Sequence, residues 1–225
     1  MGTKRSSRIG VLGTGAMAAA LGGAFVRAGH EVLVGGRGAQ RARGLAEAIG
    51  ARGSGTLAEA AGFGEAVLVA LPAEVAGEAV AALAGELEGR ALLDCTVPMA
   101  PGGGGPALTT AGGADSLARR LASAAPGAHV VKVFGICHES IWTMAGPRFE
   151  GAPLGVPYCA DDPGAAELAA ALVASMGCVP VPCGGLERAG LLEATAVFAV
   201  GVWWAGGEAR HVFPSPALAP GALDD

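Results

Sequence analysis

The chain has 225 residues, of which 52% are hydrophobic and 16% charged, a balance that excludes a disordered chain and supplies material for a sizeable core. A formal net charge of −5 leaves no basic footprint for nucleic acid or an anionic membrane surface, so neither is expected as a partner. The length suits one large α/β domain, or a domain plus a helical appendage. Apolar runs bounded by glycine and polar turns alternate with alanine-rich segments. They predict a strand over 8–13, a helix over 15–28, a strand over 31–35 and a helix near 39–49. AVLVALP (66–72) and ALLDCTVP (91–98) are continuous apolar runs that stop at proline, as strands buried on both faces read. A helix around 115–124 leads into HVVKVFG (129–135). GVPYCAD and CVPVPCG give two further strands, with a helix over 163–176 between them. From about 186 to 206 an apolar helix closes the domain. Glu193 and several glycines interrupt it, so it reads as a buried or intersubunit helix rather than a membrane span.

The expected fold is therefore α/β, a Rossmann-type doubly wound, mostly parallel sheet with an apolar C-terminal helix. Its expected parts are a dinucleotide-binding domain with acceptor-site loops over 1–185, the helix over 186–208 and an irregular tail over 209–225. The glycine-rich stretch 98–115 reads as structureless, either a flexible connector or a lid at the carboxyl edge of the sheet. The basic start MGTKRSSR is followed by a glycine-rich helix instead of the apolar core of a signal peptide. Five widely spaced cysteines, none in a C-x-x-C pair or at zinc-ligand spacing from histidine, point to a reduced cytoplasmic chain and no metal site.

Gly13-Thr14-Gly15-Ala16-Met17-Ala18 forms a G-x-G-x-x-A turn between the first strand and helix. Gly13 permits the tight turn, Gly15 lets a diphosphate approach the backbone, and Ala18 keeps helix and strand close. The first N–H groups of the helix then face the anion, helped by the helix dipole. Many such sites carry an acid at the end of the second strand, where it holds the adenine ribose and repels a 2′-phosphate. This chain has Gly35-Gly36-Arg37, and Arg41 follows four residues later. A guanidinium pairs with phosphate through a planar fork and stacks on adenine, so NADP(H) is favoured over NAD(H).

With these residues placed, the chain resembles the coenzyme F420-dependent NADP oxidoreductase family from about residue 8 to 205. The likeness rests on the G-T-G-x-M turn, Gly36-Arg37, Leu71-Pro72 and the segment Asp94 to Pro98. It continues through the stretch from Asp115 to Phe134 with its V-V-K, and through GGLERAGLLE over 184–193. The resemblance implies a nicotinamide near Leu71, Pro72 and Pro98, with direct hydride transfer to a deazaflavin. It also implies a homodimer packed through the last helix, with its Trp203-Trp204 pair. The chain departs from the family pattern after the fifth strand. Phe134-Gly135-Ile136-Cys137-His138-Glu139-Ser140 stands where a Phe/Leu-Asn-Thr run is common.

Three functions remain open at this stage. The first is an NADP(H)-dependent oxidoreductase with a small-molecule acceptor, coenzyme F420 being the acceptor the resemblance implies. In the second, the acceptor is a small carbonyl or imine and His138 with Glu139 supplies the proton, since histidine titrates near neutrality. The third is an NADP(H)-binding regulator that performs no chemistry.

Overall fold

The computed structural model describes residues 6–112 and 115–209. The expected tail from residue 210 on, with His211, and the basic start up to residue 5 lie outside the described residues. β1 (Arg8–Leu12), α1 (Ala16–Arg27), β2 (Glu31–Gly35), α2 (Ala39–Ile49) and β3 (Gly53–Gly55) open the chain. α3 (Leu57–Ala61), β4 (Ala66–Val69), α4 (Ala73–Ala82), α5 (Ala84–Leu87) and β5 (Ala91–Asp94) follow. β6 (Met99–Gly102) and β7 (Gly105–Leu108) precede α6 (Leu117–Ala124), β8 (His129–Val133) and α7 (Glu139–Trp142). The last elements are β9 (Arg148–Phe149), β10 (Ala152–Pro153), β11 (Gly155–Ala160), α8 (Pro163–Ser175), β12 (Val179–Pro182) and α9 (Ala189–Trp204), a short 3-10 turn at Leu186–Arg188 leading into α9.

Eight strands form one sheet in the order β12-β11-β8-β5-β4-β1-β2-β3. Every neighbouring pair is parallel except β11 against β8. The sheet is thus doubly wound and mostly parallel, as expected. Alternate residues of each central strand serve opposite faces. Ile9, Val11, Leu68, Leu93 and Val131 meet α1, α2 and α8 on one side. Val67, Val69, Leu92 and Val130 meet α3, α4, α6 and the start of α9 on the other. Central strands buried on both faces have no polar side to alternate with, which is why they read as unbroken apolar runs.

The strands stop short of the prolines that mark their ends in the sequence, β4 at Val69 and β5 at Asp94, leaving 70–72 and 95–98 as loops on the carboxyl edge. The 98–115 stretch differs from the structureless segment expected. It folds as the antiparallel hairpin β6–β7, with Gly102 opposite Gly105 and Gly103-Gly104 as the turn. Glycine and proline strands have little β propensity and no alternation, so nothing periodic announces this hairpin. It packs against α9. Among the described residues no helix is long and apolar enough to cross a membrane.

Candidate nucleotide and acceptor site

β1 delivers its chain to the carboxyl edge of the sheet at Gly13, whose φ of +127° belongs to the region that glycine occupies readily. A Cβ at this position would stand 2.2 Å from the Ala70 carbonyl oxygen, so backbone from the β4 loop fills the space a side chain would need. The Gly13 N–H donates to the Gly35 carbonyl at 2.9 Å, tying the turn to the end of β2. Gly15 caps α1 with an extended backbone, and its would-be Cβ meets no protein atom within 4 Å. The protein thus needs Gly13 for its own packing, whereas Gly15 faces open space above the first turn of α1. Ala16 and Met17 begin that turn, whose N–H groups have no partner within the helix.

Gly13, Thr14, Gly15, Ala16 and Met17 line a cleft of about 530 Å³. Gly36, Arg37 and Arg41 line the same cleft from the β2–α2 side, together with Gly38 and Leu57. The two arginines do not share a helical turn, as their spacing suggests. α2 begins at Ala39, so Arg37 sits on the connection and Arg41 in the first turn, both exposed. Leu57 comes from α3, which is held by a capping box. Thr56 Oγ1 accepts from the Glu59 N–H at 3.1 Å, and Glu59 accepts from the Thr56 N–H at 2.7 Å.

Leu71 and Pro72 form the far wall with Ala70 and Ala73, facing Cys95, Thr96 and Val97 beyond the end of β5. Pro98 stands just outside this lining. It is buried, and its carbonyl accepts the Thr109 N–H at 2.8 Å at the base of the hairpin. Cys95, Thr96, Val97 and Leu57 are lining residues that the sequence reading did not single out. Residues 95–97 lie inside the Asp94–Pro98 segment of the resemblance but were given no role there, and the pairing of β5 with β4 brings them to the cleft. The Cys95 thiol donates to the Val69 carbonyl at 3.2 Å, and burial pushes its pKa up to about 12, so it serves as a small apolar wall.

The segment after β8 turns sharply at Phe134, a non-glycine residue with φ +68°. Its ring packs edge-on to Trp142 at 5.2 Å and to Phe25 at 5.9 Å, deep in the core. Cys137 packs against the same core. Burial pushes its pKa up to about 11. His138 caps α7, accepting from the Ser140 N–H at 3.3 Å. Its Nε2 lies 3.3 Å from the Glu139 carboxylate; His138 is exposed and Glu139 half-buried. Neither residue is among those lining the cleft. Among the described residues no group of three or more His, Cys, Asp or Glu could hold a metal ion.

No curated protein matches the sequence. Residues 8–98, which carry the turn, both arginines, Leu71-Pro72 and the β5 loop, match the model of a family described as NADP oxidoreductase coenzyme F420-dependent. A crystal structure assigned to an F420-dependent NADP reductase from Arthrobacter sp. FB24 superposes with a TM-score of 0.79 at 26% identity, covering 91% of this chain and 96% of the other. A hypothetical protein from Sinorhizobium meliloti superposes with a TM-score of 0.71 at 20% identity, covering 83% of this chain and 88% of its own. An imine reductase from Streptomyces aurantiacus shares the fold with a TM-score of 0.61 at 20% identity, over 96% of this chain and 72% of its own. Over residues 8–98 the chain is similar to the NADP oxidoreductase coenzyme F420-dependent family, and the protein is an NADP-dependent oxidoreductase.

Proposed function

We propose that NADP(H) lies along the carboxyl edge of the sheet. Its diphosphate would rest on Gly13–Met17, its 2′-phosphate between Arg37 and Arg41, and its nicotinamide against Leu71, Pro72 and residues 95–97, with Pro98 just behind. The observation that carries this reading is that one cleft joins both arginines to the open face of Gly15. Gly36 keeps the β2 end narrow, since a side chain there would press on Thr14 at 2.8 Å. When bound, NADP(H) supplies or takes up a hydride. The chain's own residues bind and orient, the arginines through a charge-assisted fork and the apolar wall by excluding water.

The acceptor is an organic molecule entering beside residues 95–97, and the family match over 8–98 supports oxidised coenzyme F420 as the first candidate. Purified protein mixed with NADPH and oxidised F420 should bleach the visible absorbance of the deazaflavin. NADPH binding without bleaching would direct the same assay to small carbonyls and imines. That second reading takes His138 and Glu139, in contact with each other but outside the lining of this cleft, as the proton source. Tight NADPH binding with no turnover on any acceptor would favour a regulator. We further propose that α9 pairs with α9 of a second copy, because Leu191, Trp203 and Trp204 stand exposed along it, Trp204 at 66%. Five free cysteines fit the reducing cytoplasm.

A further inference from the structure

Behind the cleft wall lies a group of buried charges that this reading of the cleft does not use. Asp94 closes β5 directly opposite Lys132 of β8 in the parallel register. The Lys132 ammonium lies 3.0 Å from Asp94 Oδ2 and 3.5 Å from Glu193 Oε1. Asp94 and Glu193 are 0% exposed and Lys132 is 2% exposed. Glu193 reaches from α9 to accept the Leu117 and Ala118 N–H groups, both at 3.1 Å, at the start of α6. Burial pushes its pKa up, while Lys132 and these two N–H groups oppose the shift. Three charges buried together stabilise a fold little, because desolvation offsets their attraction, so the arrangement calls for another account.

Every remaining bond of this group ends on one residue of the cleft wall. Lys132 donates to the Thr96 carbonyl. Asp94 Oδ1 accepts the Thr96 N–H at 2.9 Å and its hydroxyl at 2.5 Å. The backbone donor and acceptor of Thr96 and its side chain are thus all held from behind. Val97, the next residue, lines the cleft on one side and on the other a void of about 10 Å³ shared with Lys132, Gly135 and Glu193.

We propose that Lys132 is a positioning residue for the nicotinamide end of the cleft. With Asp94 and Glu193 it fixes residues 95–97, the wall against which the ring is held. The inference rests on the placing of NADP(H) given above. It assigns a function to three segments that are distant in sequence and meet only in the fold, namely the end of β5, the middle of β8 and the second turn of α9. The group is not in contact with the cofactor and acts through Thr96 and Val97. Loss of the ammonium therefore leaves the phosphate and adenine subsites untouched.

The test compares two ligands on full-length protein. NADPH engages the whole cleft, whereas 2′,5′-ADP engages only the arginine end. Lys132→Met should weaken NADPH about tenfold or more, the scale of a lost charge-assisted hydrogen bond, and leave 2′,5′-ADP within about twofold. Because this variant strands two buried carboxylates, the neutral triple variant Lys132→Met/Asp94→Asn/Glu193→Gln is measured beside it, together with Glu193→Gln alone, which leaves Lys132 paired with Asp94. A selective loss of NADPH in any folded variant that lacks Lys132, or a smaller selective loss in Glu193→Gln, supports the assignment. Folded variants that keep the wild-type ratio of NADPH to 2′,5′-ADP affinity overturn it and leave the charges purely structural. Failure of wild-type protein to bind 2′,5′-ADP overturns the placing of the cofactor instead.

Discussion

At the scale of a single side chain, Arg37 is the residue proposed to select the cofactor. It is exposed and sits on a short connection between Gly36 and Gly38 at the rim of the cleft. Among the described residues no hydrogen bond or ion pair holds its guanidinium, so its removal should leave stability intact. Arg37→Ala should weaken NADPH by about ten- to a hundredfold, since a hydrogen bond to a charged group contributes about 1.5–3 kcal/mol. NADH affinity should change by about threefold at most. Titration of both nucleotides by protein fluorescence checks this, and equal losses would remove the 2′-phosphate from this position. Arg37 and Arg41 could be found in the sequence because charge at a strand end is a local signal. Lys132, Asp94 and Glu193 could not be read as a unit, since their meeting depends on strand register and on where α9 docks. In the sequence, Glu193 is a break in an apolar helix; in the fold it is a wholly buried acceptor for the first turn of α6.

The turn between β1 and α1 holds one glycine that its own packing requires and one that only the proposed nucleotide would require. Gly13→Ala would force a methyl group against the Ala70 carbonyl at a positive φ, a cost on the order of 2 kcal/mol or more. Gly15→Val meets no protein atom at its Cβ, so the variant should melt close to wild type while losing NADPH and NADH alike. Thermal melts with and without nucleotide separate the two effects. A Gly15→Val protein that still binds NADPH would move the diphosphate elsewhere. The elements themselves were legible wherever burial on both faces made a strand apolar, wholly in β4 and over most of β1, β5 and β8. Signals ran out at β3, whose sequence is Gly-Ser-Gly, and at the hairpin β6–β7. Both consist largely of residues with poor strand propensity, and pairing geometry alone makes them strands.

At the scale of the whole molecule, assembly turns on which surfaces are left for a second copy. Leu191, Trp203 and Trp204 leave α9 with exposed apolar residues, the tryptophan pair at its C-terminal end. Trp204→Glu should therefore weaken self-association by about thirtyfold, the scale of a buried aromatic anchor, with nucleotide affinity unchanged. Sedimentation across a concentration series reads the change, and a wild-type chain that remains monomeric throughout would end the proposal. The sheet offers a second copy much less. Its outer strands among the described residues are β3, three residues long, and β12, Val179–Pro182. In β12 the N–H groups of Val179 and of Cys183 just beyond it point inward, to the Leu154 and Tyr158 carbonyls at 2.9 and 2.8 Å. Strand alternation therefore turns positions 180 and 182 outward, and both are proline. Along that rim the donors a neighbouring strand would need have been removed, though Val179 and Val181 leave it apolar and exposed. A sticky edge is thereby kept from seeding a growing ribbon of sheets. The pairing proposed for α9 would then give a closed pair, without edge-to-edge joining into a fibre.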